Sequence, residues 1–339
     1  MEQLEKYTIL DPISIQGMLG DLFRARDNRT GRTVALRVVR EEFAGDPPRR
    51  AALLADAEAA RAVSHPHIAA LFDVGEQDGF LYLAHEYVPG QSLAALLDKG
   101  PLDPEAAIEL ALQIAEALAH VHRHGMVFGT LSAGSIIVNP RDQAKLLDVG
   151  LASWTSAGHA RLGLTPQVAE GQERRDEHHE GTASQPGAYL SPEEALGQKA
   201  GPRSDLFSLG ILLHQMATGQ IPFDGGSDSA TAFKILHATP PTPSSLNPAV
   251  PPGFDAVVAG LLRKTVEMRP HDAGVVIDQL RRLRRVAVAA PAGPSETARA
   301  AAGARPGARR RRRRGRSYVV AVVILVVIGA AVAAWLGLR

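Results

Sequence analysis

Few residues of this chain join a reactive side chain to a spacing that suggests chemistry, and they lie in short, separated runs. Asp148 stands in Asp148-Val149-Gly150, directly after Leu146-Leu147. Such a carboxylate either serves a hard cation or closes a turn after a strand. Gly17 and Gly20 punctuate Ser14-Ile15-Gln16-Gly17-Met18-Leu19-Gly20, where the backbone can turn or approach a ligand closely. Arg37 is the only charge in Thr33-Val34-Ala35-Leu36-Arg37-Val38. The run Met126 to Val138 holds the hydroxyls of Thr130, Ser132 and Ser135 and no carboxylate. A threonine hydroxyl has no accessible anionic form at neutral pH, so Thr130 cannot act as a general base. His178-His179 lies between Asp176-Glu177 and Glu180. Adjacent histidines do not readily chelate one ion, which argues against a metal site there. Cysteine is absent, so disulfides, thiolate metal sites and a cysteine nucleophile are excluded, as suits a reducing cytosol.

The elements around these residues are legible from patterning. Residues 7 to 39 alternate apolar and polar in short runs, with a turn at Asn28 to Gly31, as hairpin strands do. Arg49 to Val63 is rich in Ala and Leu and reads as a helix ending before Ser64-His65-Pro66. Ala69 to Val74 and Phe80 to Val88 read as two further strands, which predicts a five-stranded sheet. Asp103-Pro104-Glu105 starts a helix, with Asp as cap and Pro at the first helical position. Leu110, Ile114, Leu118 and Val121 then recur at helical spacing. The chain continues mostly helical to Leu283, broken by a polar stretch from Ser153 to Gln185. Residues 286 to 316 are rich in Ala, Pro, Gly and Arg without apolar periodicity, the mark of a disordered basic linker.

In order and spacing, Thr33 to Val38, Leu147-Asp148-Val149-Gly150, Ser191-Pro192-Glu193 and Ser204-Asp205-Leu206-Phe207-Ser208-Leu209-Gly210 resemble bacterial protein Ser/Thr kinases, from about Tyr7 to Leu283. The resemblance implies an α+β, two-lobed fold. The N-lobe, residues 1–88, would hold a five-stranded antiparallel sheet and a helix; the C-lobe, residues 89–285, would be helical, with an activation segment at about 148–193. It also implies a nucleotide site for ATP and Mg²⁺. Ile13, Leu22, Ala35 and Ile137 would wall the adenine slot, Glu86 to Val88 would supply the hinge, and His85 would sit behind it as a satisfied core histidine. Asp148 matches the Mg²⁺ ligand, which leaves room for one metal at most.

The remaining family positions are degenerate. Ser14 and Gln16 stand where glycines would close over the phosphates. Arg37 replaces the phosphate-binding lysine, and Asp56 (alternatively Glu58) replaces its helical glutamate partner, so an Arg37–Asp56 pair is expected to dock that helix. The catalytic triplet reads Phe128-Gly129-Thr130, and Thr130 takes the place of the carboxylate that orients the substrate hydroxyl. Loss of such a group costs about 10² to 10⁴ in rate. Gly129 removes the cationic receiver of a phosphorylated activation segment, while Phe128 and Val149 read as packing. Ser132 replaces a lysine that contacts the transferred phosphate, and Ser135 replaces a metal-binding asparagine. The scaffold positions persist: Glu193 and Arg269 match a buried ion pair, and Asp205 matches the cap of the catalytic-loop backbone. Ser153, Thr155, Ser156, Thr165, Thr182 and Ser184 read as solvated loop positions.

Charge and hydropathy complete the expectation. The ten arginines and one glutamate after Arg285 contribute +9 to a formal net charge of +1, leaving −8 for residues 1–285. An acidic body on a basic stalk is not a nucleic-acid-binding profile. Tyr318 to Leu338 is uncharged, and as a helix its 21 residues would extend about 31 Å, enough to cross a hydrocarbon core. Tyr318 and Trp335 suit the two interfaces, and Arg309 to Arg316 suit anionic lipid on the cytoplasmic side. The expectation is a tail-anchored pseudokinase with residues 317–339 as its membrane helix, acting as scaffold or allosteric regulator for a cytoplasmic protein partner. The alternatives are an active Ser/Thr kinase of atypical mechanism and a nucleotide sensor that binds ATP without transfer.

Overall fold

A computed structural model describes residues 3–13, 20–39, 47–77, 79–129, 131–151 and 186–289. Ser14, Gln16, Gly17, Thr130, the segment 152–185, the expected linker beyond 289 and the expected span at 318–338 lie outside the described residues. The first strands are β1 (Gln3–Leu4), β2 (Tyr7–Pro12), β3 (Gly20–Asp27) and β4 (Thr33–Val39). The turn between β3 and β4 is held by Asp27, whose carboxylate accepts the N–H groups of Arg29 and Thr30 and the Thr30 hydroxyl. This is the local bonding that makes Asp a turn residue. It fixes a register running from Arg26 opposite Thr33 to Gly20 opposite Val39. At the far end, Gly20 has a φ of +152° and approaches the partner strand so closely that a Cβ would lie 1.8 Å from the Val38 carbonyl oxygen. The glycine is therefore required by strand packing alone.

With β5 (Leu71–Gln77) and β6 (Phe80–Glu86), these strands form an antiparallel sheet in the order β1-β2-β3-β4-β6-β5. The expected five strands become six because Gln3–Leu4 folds back on Tyr7 and Thr8 as a short edge. Helix α1 (Pro47–Ala60) packs on this sheet through Leu53, Ala57 and Ala60, which share an apolar cluster with Val39, Leu71, Leu81 and Leu83. Burying each of the larger side chains contributes about 1.5–3 kcal/mol.

The second lobe begins with β7 (Gln91–Ser92), α2 (Leu93–Leu97) and α3 (Pro104–Arg123). Asp103 caps α3 by accepting the Glu105 N–H, and Leu110, Ile114, Leu118 and Val121 are all buried, as their spacing predicts. Strands β8 (Ile136–Val138) and β9 (Ala144–Leu146) complete a small antiparallel sheet with β7 that carries the chain to Asp148. Beyond it lie α4 (Pro192–Ala195), α5 (Pro202–Thr218), α6 (Asp228–His237), α7 (Pro243–Leu246), α8 (Phe254–Leu261) and α9 (Ala273–Ala289). Helix α9 continues four residues past the predicted start of the linker at 286, held against α3 by Arg281–Glu116 and Arg284–Glu109 ion pairs. Residues 1–290 form one compact unit. Among the described residues no helix is long and apolar enough to cross a membrane.

Candidate functional site

The cleft between the lobes is built first by strand register. Pairing of β4 with its two neighbours sets Arg37 opposite Leu22 on β3 and Leu83 on β6. Its side chain is 1% exposed. A guanidinium so buried needs acceptors for its donors. Arg37 Nε and Nη2 donate to the two carboxylate oxygens of Asp148 at 3.0 and 2.7 Å, and Nη1 donates to the Gly20 carbonyl at 2.9 Å. This is the bidentate geometry in which an arginine fork matches a carboxylate.

The expected partnership of Arg37 with Asp56 is thus corrected: the described hydrogen bonds of Arg37 go to Asp148 and Gly20. The alternative, Glu58, pairs with Arg61 on the helix surface. Helix α1 docks through its apolar face instead. Shape explains the switch, because a planar fork can hold both oxygens of a coplanar carboxylate and reach a third acceptor.

His85 closes the back of the site. It is 3% exposed, and neither ring nitrogen has a hydrogen-bond partner, so the expectation of a satisfied core histidine is corrected. Nε2 lies 3.4 Å from Asp148 Oδ1 without the alignment of a hydrogen bond. Burial pushes its pKa down to about 4, outweighing the opposite pull of Asp148. The ring is therefore neutral at physiological pH, and its approach to Asp148 is a polar contact rather than an ion pair.

The apolar residues expected to wall the slot share one cluster. Leu22, Ala35 and Ile137 cluster with Ala69 and Leu147, and Ile13, Tyr87 and Val88 pack against them. Sequence reasoning missed Ala69 and Leu147 and included Tyr87 only as hinge backbone; Leu147 carried a signal as the neighbour of Asp148. It also missed the tie at Glu86, whose carboxylate accepts Lys145 Nζ at 2.8 Å and pins the hinge to β9.

The catalytic loop is held from below. Asp205, 1% exposed, accepts the N–H groups of Phe128 at 2.9 Å and Gly129 at 2.7 Å, and its Oδ2 lies 2.7 Å from His122 Nε2. The N-cap of α5 is Gly201, so this carboxylate caps the loop and not its own helix. Phe128 is fully buried with Val149 in the main core. Gly129 has a φ of +71°, a left-handed conformation that a Cβ would strain. Ser132 and Ser135 close on each other: the Ser132 N–H donates to Ser135 Oγ at 3.0 Å, and that hydroxyl donates back to the Ser132 carbonyl at 2.9 Å.

Below the loop, Arg269 Nη1 and Nη2 each donate to Glu193 at 2.8 Å, and the guanidinium also donates to the carbonyls of Arg203, Arg263 and Lys264. Burial pushes the Glu193 carboxyl up, but hydrogen bonds from Arg269 and Ser204 overcome this and hold it below its ordinary value. The expected scaffold pair is therefore fully satisfied, as a buried ion pair must be.

These contacts test whether the implied Mg²⁺ fits. It does not. Both oxygens of Asp148 face the Arg37 fork, and the Ser135 hydroxyl is committed within its own turn. The expectation that Asp148 holds Mg²⁺ thus meets a carboxylate already paired with Arg37. For ATP the match is split: the apolar walls are assembled, while Arg37, the cation at the phosphate end, is already paired.

Comparison with known proteins agrees with this architecture. The model of the protein kinase domain matches residues 15–277. A probable serine/threonine-protein kinase of Streptomyces coelicolor is 33% identical over 269 residues, covering 78% of this chain and 38% of its own. The serine/threonine-protein kinase PrkC of Bacillus subtilis is 32% identical over 254 residues, covering 75% of this chain and 36% of its own. The chain thus spans well under half the length of these relatives. The crystal structure of the Mycobacterium tuberculosis PknI kinase domain shares the fold, with a TM-score of 0.63 at 21% identity, covering 83% of this chain and 97% of that one.

Proposed function

Because this chain belongs to the protein kinase domain family, with bacterial serine/threonine kinases among its relatives, we propose that it is a pseudokinase, a kinase-like scaffold or allosteric regulator that does not transfer phosphate. One observation carries this reading. The catalytic loop is anchored at Phe128 and Gly129 by Asp205, yet the run from Met126 to Val138 contains no carboxylate to orient an acceptor hydroxyl. A loop kept in place without its base favours selection for shape over chemistry. The apolar segment Tyr318 to Leu338 and the arginines at 309 to 316 support a place at the cytoplasmic face of the membrane, where a cytoplasmic protein partner would be met.

The test is transfer of label from γ-labelled ATP by the full chain to itself or to a generic acceptor protein. The expected result is no transfer above the protein-free blank, and none in Thr130→Asp, since Arg37 and Ser135 are also changed. Transfer by the wild type that Asp148→Asn abolishes would overturn the reading. Membrane placement is checked by fractionation: deletion of residues 318–338 should release the protein from carbonate-washed membranes.

A further inference from the structure

We propose that Arg37 is a built-in replacement for the divalent cation of this cleft, and that it excludes metal from Asp148. The inference rests on reading the cleft as the family's nucleotide site, and it specifies how that site differs.

The first support is geometric. Both oxygens of Asp148 accept hydrogen bonds from the guanidinium, at 3.0 and 2.7 Å. A hard cation would draw on those same oxygens at about 2.0–2.1 Å in near-octahedral order, so the two occupants compete for the carboxylate's charge and for the space around it. The second is electrostatic. The guanidinium already neutralises the carboxylate, and a dication brought to the same group would meet a fixed positive charge in a water-poor site. The third is confinement. Arg37 is 1% exposed, lies between β3 and β6, and is tethered by Nη1 to the Gly20 carbonyl. To withdraw, it would leave the buried Gly20 carbonyl and the partly buried Asp148 carboxylate without these hydrogen bonds. A lysine ammonium, as a single point charge, could not span all three acceptors in this way.

The Ser135 hydroxyl, which stands at the family's second metal-binding position, is held within its own turn. Among the described residues no group of three metal-binding side chains occurs.

The experiment uses Mn²⁺ alone as probe, followed by electron paramagnetic resonance with the full chain in detergent and no nucleotide present. The wild type should leave the free Mn²⁺ signal as Asp148→Asn leaves it. Arg37→Lys should bind Mn²⁺ about tenfold tighter or more, the scale on which neighbouring groups tune metal affinity. That gain should vanish in the double variant Arg37→Lys, Asp148→Asn. Wild-type binding that Asp148→Asn removes would overturn the inference. A folded Arg37→Lys that gains nothing would overturn the role given to Arg37. If circular dichroism shows Arg37→Lys unfolded, Arg37→Gln takes its place under the same two outcomes. Transfer of γ-label measured on the same samples separates the two claims. Mn²⁺ binding by the wild type without transfer defeats metal exclusion alone, and transfer without Mn²⁺ binding defeats the pseudokinase reading alone.

Discussion

Replacing Asp205 by Ala should be among the most damaging single changes in the catalytic-loop region. The carboxylate accepts two backbone N–H groups at 2.9 and 2.7 Å, both buried, and lies 2.7 Å from His122 Nε2. Hydrogen bonds to a charged acceptor contribute about 1.5–3 kcal/mol each, so the two backbone bonds alone amount to about 3–6 kcal/mol. Removing the carboxylate also relieves its own desolvation, which trims the net loss towards about 3 kcal/mol. The orphaned N–H groups of Phe128 and Gly129 cannot turn to water, since both residues are buried. Asp205→Asn should cost less, because one amide oxygen can still serve the Gly129 N–H while the amide nitrogen faces the Phe128 N–H. The assay is urea unfolding of wild type, Asp205→Asn and Asp205→Ala, followed by far-ultraviolet circular dichroism. The expected order is wild type, then Asn, then Ala. A loss below about 1 kcal/mol for Ala would refute the claim that this carboxylate holds the loop from inside.

Two further outcomes follow from buried groups. Burial pushes the Glu194 carboxyl from its ordinary 4.5 up to about 7, although the Ser191 hydroxyl and N–H favour its ionised form. The folded state therefore binds more protons than the unfolded state between these values, and stability falls as pH rises from about 4.5 to 7, by on the order of 3 kcal/mol. Glu194→Gln should flatten that slope in pH-dependent unfolding, and equal slopes in both proteins would exclude the assignment. Gly20→Ala places a Cβ 1.8 Å from the Val38 carbonyl oxygen and should disrupt the β3–β4 pairing, lowering the unfolding midpoint and loosening the Arg37 tether. An unchanged midpoint would show that the strand ends are not in the close contact described.

The part of the site legible in sequence is the part whose signal is local or whose motif is dense. Asp103 as a cap and the α3 core stripe follow from short local patterns, while the roles of Asp205, Glu193 and Arg269 follow from the family resemblance of the motifs that hold them. Glu194 was missed although Ser191-Pro192-Glu193-Glu194 carries the Ser-x-x-Glu signature of a capping box, which the structure shows. No sequence signal pointed to the Lys145–Glu86 tie or to the contact of His122 with Asp205, because these partners meet across folded distance.

The kinase-like architecture and the loss of a carboxylate from the catalytic loop follow from residue types alone, since a missing functional group is missing in any conformation. The partner of Arg37 does not. The family resemblance, counted back from Ser64-His65-Pro66, implies Asp56 as the partner, but the choice among acceptors depends on where three segments converge. Only the tertiary structure brings Gly20, Arg37 and Asp148 together, 111 residues separating the last two in sequence. There a guanidinium meets both oxygens of a carboxylate and a strand-end carbonyl at once, and that bidentate geometry in a partly buried cleft outweighs what any linear pattern can express.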